Sequence, residues 1–204
     1  MTSTTIKIAP NTNEYLQLSN LAYSLTDSNG NQVNAKNLVL PPGFTFLAQS
    51  LAVDLAQGFS AIAVRDPLGN VIIVNEGTAV SLHTALSHLP FVASDIYGNS
   101  SVAADTAIAN GKTPTALIDA IAFAVNIQKA YGSFYVTGHS LGGIEAEEEA
   151  KTCGANCLAG ATFGATGLPQ NNGSTGNNLN VIDYVDYGDT VGNLGSDISN
   201  SSFL

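Results

Sequence analysis

Residues 134–143 read FYVTGHSLGG. A short β-branched and aromatic run leads straight into a glycine-framed serine, with G-x-S-x-G spacing at Gly138, Ser140 and Gly142. The run preceding Gly138 has the make-up of a strand. The residues that follow, IEAEEEAKT, read as a helix ending before Gly154. A chain passes from strand to helix across one serine only by turning sharply. At such a turn the backbone comes so close to its neighbours that a Cβ would clash, and the serine Oγ is lifted out of the fold. Residues 136–144 are therefore read as a strand–turn–helix elbow, and the rest of the chain must fit around it.

The neighbouring segments supply a frame. Residues 13–26 (NEYLQLSNLAYSLT) carry apolar residues near helical spacing and predict a helix, closed by the turn cluster DSNGN. Residues 44–58 predict a second helix ending at Gly58. In FSAIAVRDPLGNVIIVNEGT (59–78) two β-rich runs flank Asp66-Pro67-Leu68-Gly69-Asn70, a hairpin signal. Its second run, VIIV, is continuously apolar, as a buried central strand should be. Residues 113–131 give the clearest helix, with Thr113 as cap and Pro114 in the first turn. CLAGATFGA (157–165) and NVIDYVDYG (180–188) read as further strands, and 170–178 (QNNGSTGNN) as a loop. The order β-β-α-β-elbow-α-β-β implies one α/β domain over 1–204, a mostly parallel sheet flanked by helices.

Charge narrows the partners. Six Lys and Arg stand against 16 Asp and Glu, a net charge of −10. Nucleic acid is not an expected partner, because phosphate binding needs clustered basic residues. No apolar run is long enough for a transmembrane segment, and the start of the sequence does not read as a signal peptide. The acidic, low-lysine, Asn/Gly/Ser-rich composition leans towards a secreted protein exported without such a signal, with a cytoplasmic location as the alternative. Cys153 and Cys157, in CGANC, have the wrong spacing for the commoner zinc half-sites. Plain thiols and a local disulfide both remain open readings. No metal and no cofactor are expected.

Four stretches, taken in order, resemble the class 3 lipases, the fungal-type triacylglycerol lipases of the α/β-hydrolase fold. GFSAIAVRDPLGNVIIVNEGT resembles the hairpin that leads to their oxyanion-hole Gly-Thr or Gly-Ser. YVTGHSLGG resembles their nucleophile elbow, ATFGATGLP the segment after the elbow helix, and DYGDTVGNLG the region of the triad acid. The resemblance covers about residues 13–197 and implies a lipase or esterase using a serine nucleophile. Acylglycerol, phospholipid or other ester substrates, and transient contact with a lipid interface, go with it.

Each part has a role to fill. Ser140 is the candidate nucleophile, and its hydroxyl needs a base to remove the proton. Leu141, which follows it, is expected to give one oxyanion-hole N–H. By resemblance Thr78 gives the other and Asp189 is the triad acid, preferred over Asp183 and Asp186. Those two are read as solvent-facing or structural. Many relatives carry a basic residue where this chain has Glu76. His139 is read as structural, since it cannot easily turn to serve its own neighbour.

The base is the missing part. In this fold the triad runs Ser, Asp, His, and no histidine follows Asp189. Three accounts compete: a natural chain continuing past Leu204 to its histidine, a displaced base at His83 or His88 near the lid region 79–112, or a catalytically silent lipid- or protein-binding domain of a larger exported protein. The elbow helix departs from the family as well, with Glu145, Glu147, Glu148 and Glu149 where small or apolar residues are usual. Four carboxylates cannot all be buried unpaired. The expectation is a helix with a solvated acidic face formed by Glu147, Glu148 and Glu149, and a partly buried Glu145. Pairing of some of them with polar groups is the alternative.

Overall fold

The computed structural model describes residues 8–78, 107, 113–165, 180–185 and 200–203. Its frame is a seven-stranded sheet in which chain order equals spatial order. The strands are β1 (Thr45–Gln49), β2 (Ala61–Arg65), β3 (Val71–Asn75), β4 (Phe134–His139), β5 (Cys157–Phe163), β6 (Val181–Val185) and β7 (Asn200–Phe203). β1, β2 and β3 are antiparallel neighbours, and every pairing from β3 to β7 is parallel. The expected hairpin is present: Ala61 pairs with Asn75 and Arg65 with Val71 across the Asp66–Asn70 turn. Asp66 Oδ1 accepts from the N–H groups of Leu68 and Asn70 at 2.8 and 2.7 Å, which fixes that turn.

Side-chain alternation along the strands divides the core in two. Ala61, Ala63, Val71, Ile73 and Val136 face one cluster, with the helices α3 (Thr115–Tyr131) and α4 (Leu141–Cys153). Ile62, Val64, Ile72, Val74 and Tyr135 face the other, with α1 (Thr12–Ala22). β3 is buried at all five positions, which is why VIIV shows no polar alternation. Each buried Val or Ile contributes about 1.5–3 kcal/mol relative to exposure. α1 starts with a capping box: Asn11 Oδ1 accepts from Glu14 N–H at 3.1 Å, and Glu14 Oε2 accepts from Asn11 N–H at 2.8 Å.

Several sequence expectations need correction. The helix expected over 44–58 is instead β1 followed by α2 (Ala52–Leu55), a single turn. TFLAQ pairs with β2 and forms the edge strand of the sheet, so tertiary hydrogen bonding overrides the local spacing. The first helix stops at Ala22, capped by Tyr23, and Thr26 bridges to Gln32. In α3 the N-cap is Pro114 rather than Thr113. Cys153 ends α4 and Cys157 opens β5, both buried free thiols on either side of the 3-10 turn Gly154–Asn156.

Candidate functional site

The strand β4 runs directly into α4 through Ser140, the non-glycine residue with positive φ among the described residues (φ 54, ψ −124). L-residues avoid that region because Cβ meets the backbone, so the surroundings must enforce it. They do so at both ends: Ser140 N–H donates to the Phe163 carbonyl of β5 at 3.0 Å, and Ser140 carbonyl accepts from Gly143 N–H at 2.9 Å. The motif glycines are needed for space. A Cβ on Gly138 would run into the Gly142 carbonyl, and one on Gly142 would stand 2.6 Å from the Asn75 carbonyl oxygen. Ser140 stays half-buried, whereas Leu141 is fully buried at the start of α4. The first N–H groups of a helix have no partner within it, and here they follow directly on the serine.

The end of β3 lies beside this turn, since Asn75 is in parallel register with Gly138. Gly77 follows, wedged between the Tyr23 hydroxyl and the His139 carbonyl oxygen, the latter 2.5 Å from where a Cβ would stand. Thr78 comes next and is partly buried. Tyr23 Oη and His139 Nδ1 form a hydrogen bond of 2.5 Å, with their rings edge to face at 5.8 Å.

Glu76, just before Gly77, is buried. Thr26 Oγ1 donates to its Oε2 at 2.8 Å. Desolvation pushes its carboxyl up from 4.5 to about 7, and the Thr26 and Ser60 hydroxyls hold the rise in check.

The elbow helix overturns the expected solvated acidic face: Glu147, Glu148 and Glu149 are all buried, and so is Glu145. α4 lies between α3 on one side and β3, β4 and β5 on the other, which leaves little of it for water. Polar partners replace solvent. Asn75 Nδ2 donates to Glu149 Oε2 at 3.0 Å, Thr162 Oγ1 lies 3.5 Å from Glu147 Oε1, and Lys151 pairs with Glu148 at 3.1 Å. Burial raises the Glu149 carboxyl well above its ordinary range, only partly offset by Asn75. Burial thus favours its neutral form, because an isolated buried charge costs far more. Among the described residues no group of three or more His, Cys, Asp or Glu is placed to hold a metal ion.

Of the acidic candidates, Asp183 is buried in β6, where its Oδ1 accepts from Thr162 Oγ1 at 3.0 Å and from Ala165 N–H at 3.2 Å. Those bonds tie β6 to the end of β5, so its structural reading stands and its solvent-facing one does not. The structure thus brings Ser140, Leu141 and Thr78 to the adjoining ends of β3 and β4. Asp189, Asp186, His83 and His88 lie outside the described residues. The sequence reading missed Tyr23. It sits at the end of the α1 apolar pattern, and nothing local distinguishes it from a helix-terminal aromatic.

A search of solved structures decides the architecture. Lip2 lipase from Yarrowia lipolytica superposes with a TM-score of 0.53 at 16% identity, over 88% of this chain and 73% of that one. The fold is that of the α/β-hydrolases. A fungal lipase–inhibitor complex is also similar, with a TM-score of 0.48 and 15% identity over 90% of this chain and 75% of its own. No protein-family profile and no curated protein sequence matches the chain. No helix among the described residues is long and apolar enough to cross a membrane.

Proposed function

We propose that this chain is a lipase-like carboxylic ester hydrolase in which Ser140 is the nucleophile. The observation that carries the reading is the backbone of Ser140, held at φ 54 between a strand and a helix by hydrogen bonds to Phe163 and Gly143. A serine is kept in so costly a conformation where its hydroxyl must be presented. Ser140 Oγ attacks the ester carbonyl, and the N–H groups of Leu141 and Thr78 receive the oxyanion. Loss of one such donor costs on the order of 3 kcal/mol in the transition state. A histidine takes the Ser140 proton and passes it to the leaving alcohol, Asp189 orients that imidazole, and water then releases the acid. His139 is structural in this reading, its ring held against Tyr23. The substrates are esters of lipid type, acylglycerols or phospholipids.

A fluorophosphonate probe read by intact mass tests this. The folded 204-residue chain should gain one probe mass, and Ser140→Ala should gain none. Labelling lost in His83→Gln or His88→Gln would identify the base. A folded chain that stays unlabelled would mean that none of these 204 residues serves Ser140 as base, which overturns His83 and His88 and leaves a histidine past Leu204 or a silent lipid- or protein-binding domain.

A further inference from the structure

The two halves of the candidate site belong to different segments. Ser140 and Leu141 follow β4, whereas Gly77 and Thr78 follow β3. The sheet register aligns Asn75 with Gly138, and no β3–β4 pairing extends past that pair. Beyond it, the separation of Thr78 N–H from Ser140 Oγ must be held by something else. Among the described residues, Tyr23 is a side chain that meets both segments. Tyr23, the C-cap of α1, bonds through its hydroxyl to His139 Nδ1, next to Ser140, and the same hydroxyl presses on Gly77, next to Thr78.

We propose that Tyr23 is a positioning residue whose hydroxyl clamps the Gly77–Thr78 strand end to the His139–Ser140 turn and so sets the oxyanion hole. The inference rests on the hydrolase reading for its catalytic consequence, but the clamp itself does not. Three observations support it. Gly77 has no space for a Cβ because the Tyr23 phenol and the His139 carbonyl already fill it. The Tyr23 ring meets the imidazole edge to face, which fixes the phenol relative to the turn. Tyr23 is 37% exposed, so its ring contributes less to the core than the fully buried Leu18 and Ala22 of the same helix.

The decisive variant is Tyr23→Phe, which keeps the ring and removes the clamp. Amide hydrogen exchange on the full chain is read at Gly77, Thr78 and Leu141, beside phosphonate labelling resolved into an affinity and a maximal rate. Exchange at those amides should quicken about tenfold. The maximal labelling rate should fall about tenfold with the affinity unchanged, because a misplaced oxyanion hole acts on the transition state. Thermal unfolding of the variant is measured alongside, to show that it folds. Unchanged exchange at Thr78 and Leu141 overturns the clamp. Faster exchange with an unchanged labelling rate overturns the positioning role. If wild type itself does not label, no base serves Ser140 in this chain, and the exchange result alone decides the clamp. His139→Gln should reproduce the exchange effect, and adding Tyr23→Phe to it should change little.

Discussion

Asn75, at the end of β3, donates its side-chain amide to Glu149 on α4 across a fully buried 3.0 Å contact. This bond joins the strand that leads to Gly77 to the helix that begins after Ser140. Burial holds the Glu149 carboxyl well above its ordinary range, so Glu149→Gln should leave stability little changed near pH 5 and raise it near pH 8. Glu149→Ala should cost about 2–4 kcal/mol through the cavity and the stranded Asn75 amide. Urea unfolding at the two pH values separates the cases. A Gln variant weaker at pH 8 would mean that the carboxylate is ionised and paired.

Glu76 predicts a fold that prefers acid. Its folded pKa, about 7, lies above the ordinary 4.5. Below pH 4.5 both states bind the proton and nothing is lost. As pH rises from 4.5 towards 7 the unfolded chain ionises first, and stability falls by about 3 kcal/mol in all. Glu149, also raised by burial, adds a loss of the same sign. Melting temperature followed from pH 4.5 to 8 should decline, and Glu76→Gln should flatten the part between 4.5 and 7. A rising profile would contradict the burial of these groups.

Gly138 cannot accept a side chain, since the Gly142 carbonyl stands where its Cβ would be. Both groups are main chain, so relief requires moving the elbow itself. Gly138→Ala should cost about 3 kcal/mol. Gly69, at φ 86 in the hairpin turn with open space around it, supplies the contrast: Gly69→Ala should cost only the conformational term, about 1–2 kcal/mol. Equal losses in chemical denaturation would show that the elbow is looser than described.

The backbone of Ser140 carries strain that a glycine would not feel. Ser140→Gly and Ser140→Ala both remove the hydroxyl, but only the first relieves positive φ. The relief, about 1–3 kcal/mol, exceeds the entropic penalty of glycine, about 0.5–1 kcal/mol. Ser140→Gly should therefore unfold about 1 kcal/mol later than Ser140→Ala, with neither labelled by phosphonate. Equal midpoints would remove the argument that this conformation is costly.

The parts legible in the sequence were those in which local chemistry leaves one choice. Asp66-Pro67-Leu68-Gly69-Asn70 between two β-branched runs could hardly be other than a hairpin, and VIIV had to lie where both faces are covered. FYVTGHSLGG forced a strand, a sharp turn and a helix, because only glycines fit where Gly138 meets Gly142. Tertiary structure decided the rest. TFLAQ became a strand through its pairing with β2, a partner that its own spacing does not reveal. The glutamates of α4 read as a wet face, because a sequence shows the cost of burying charge but not the Asn75, Thr162 and Lys151 groups that meet it. Tyr23 was invisible for the same reason: the residues it joins, Gly77 and His139, lie 54 and 116 positions away along the chain, and only the fold brings them to one hydroxyl.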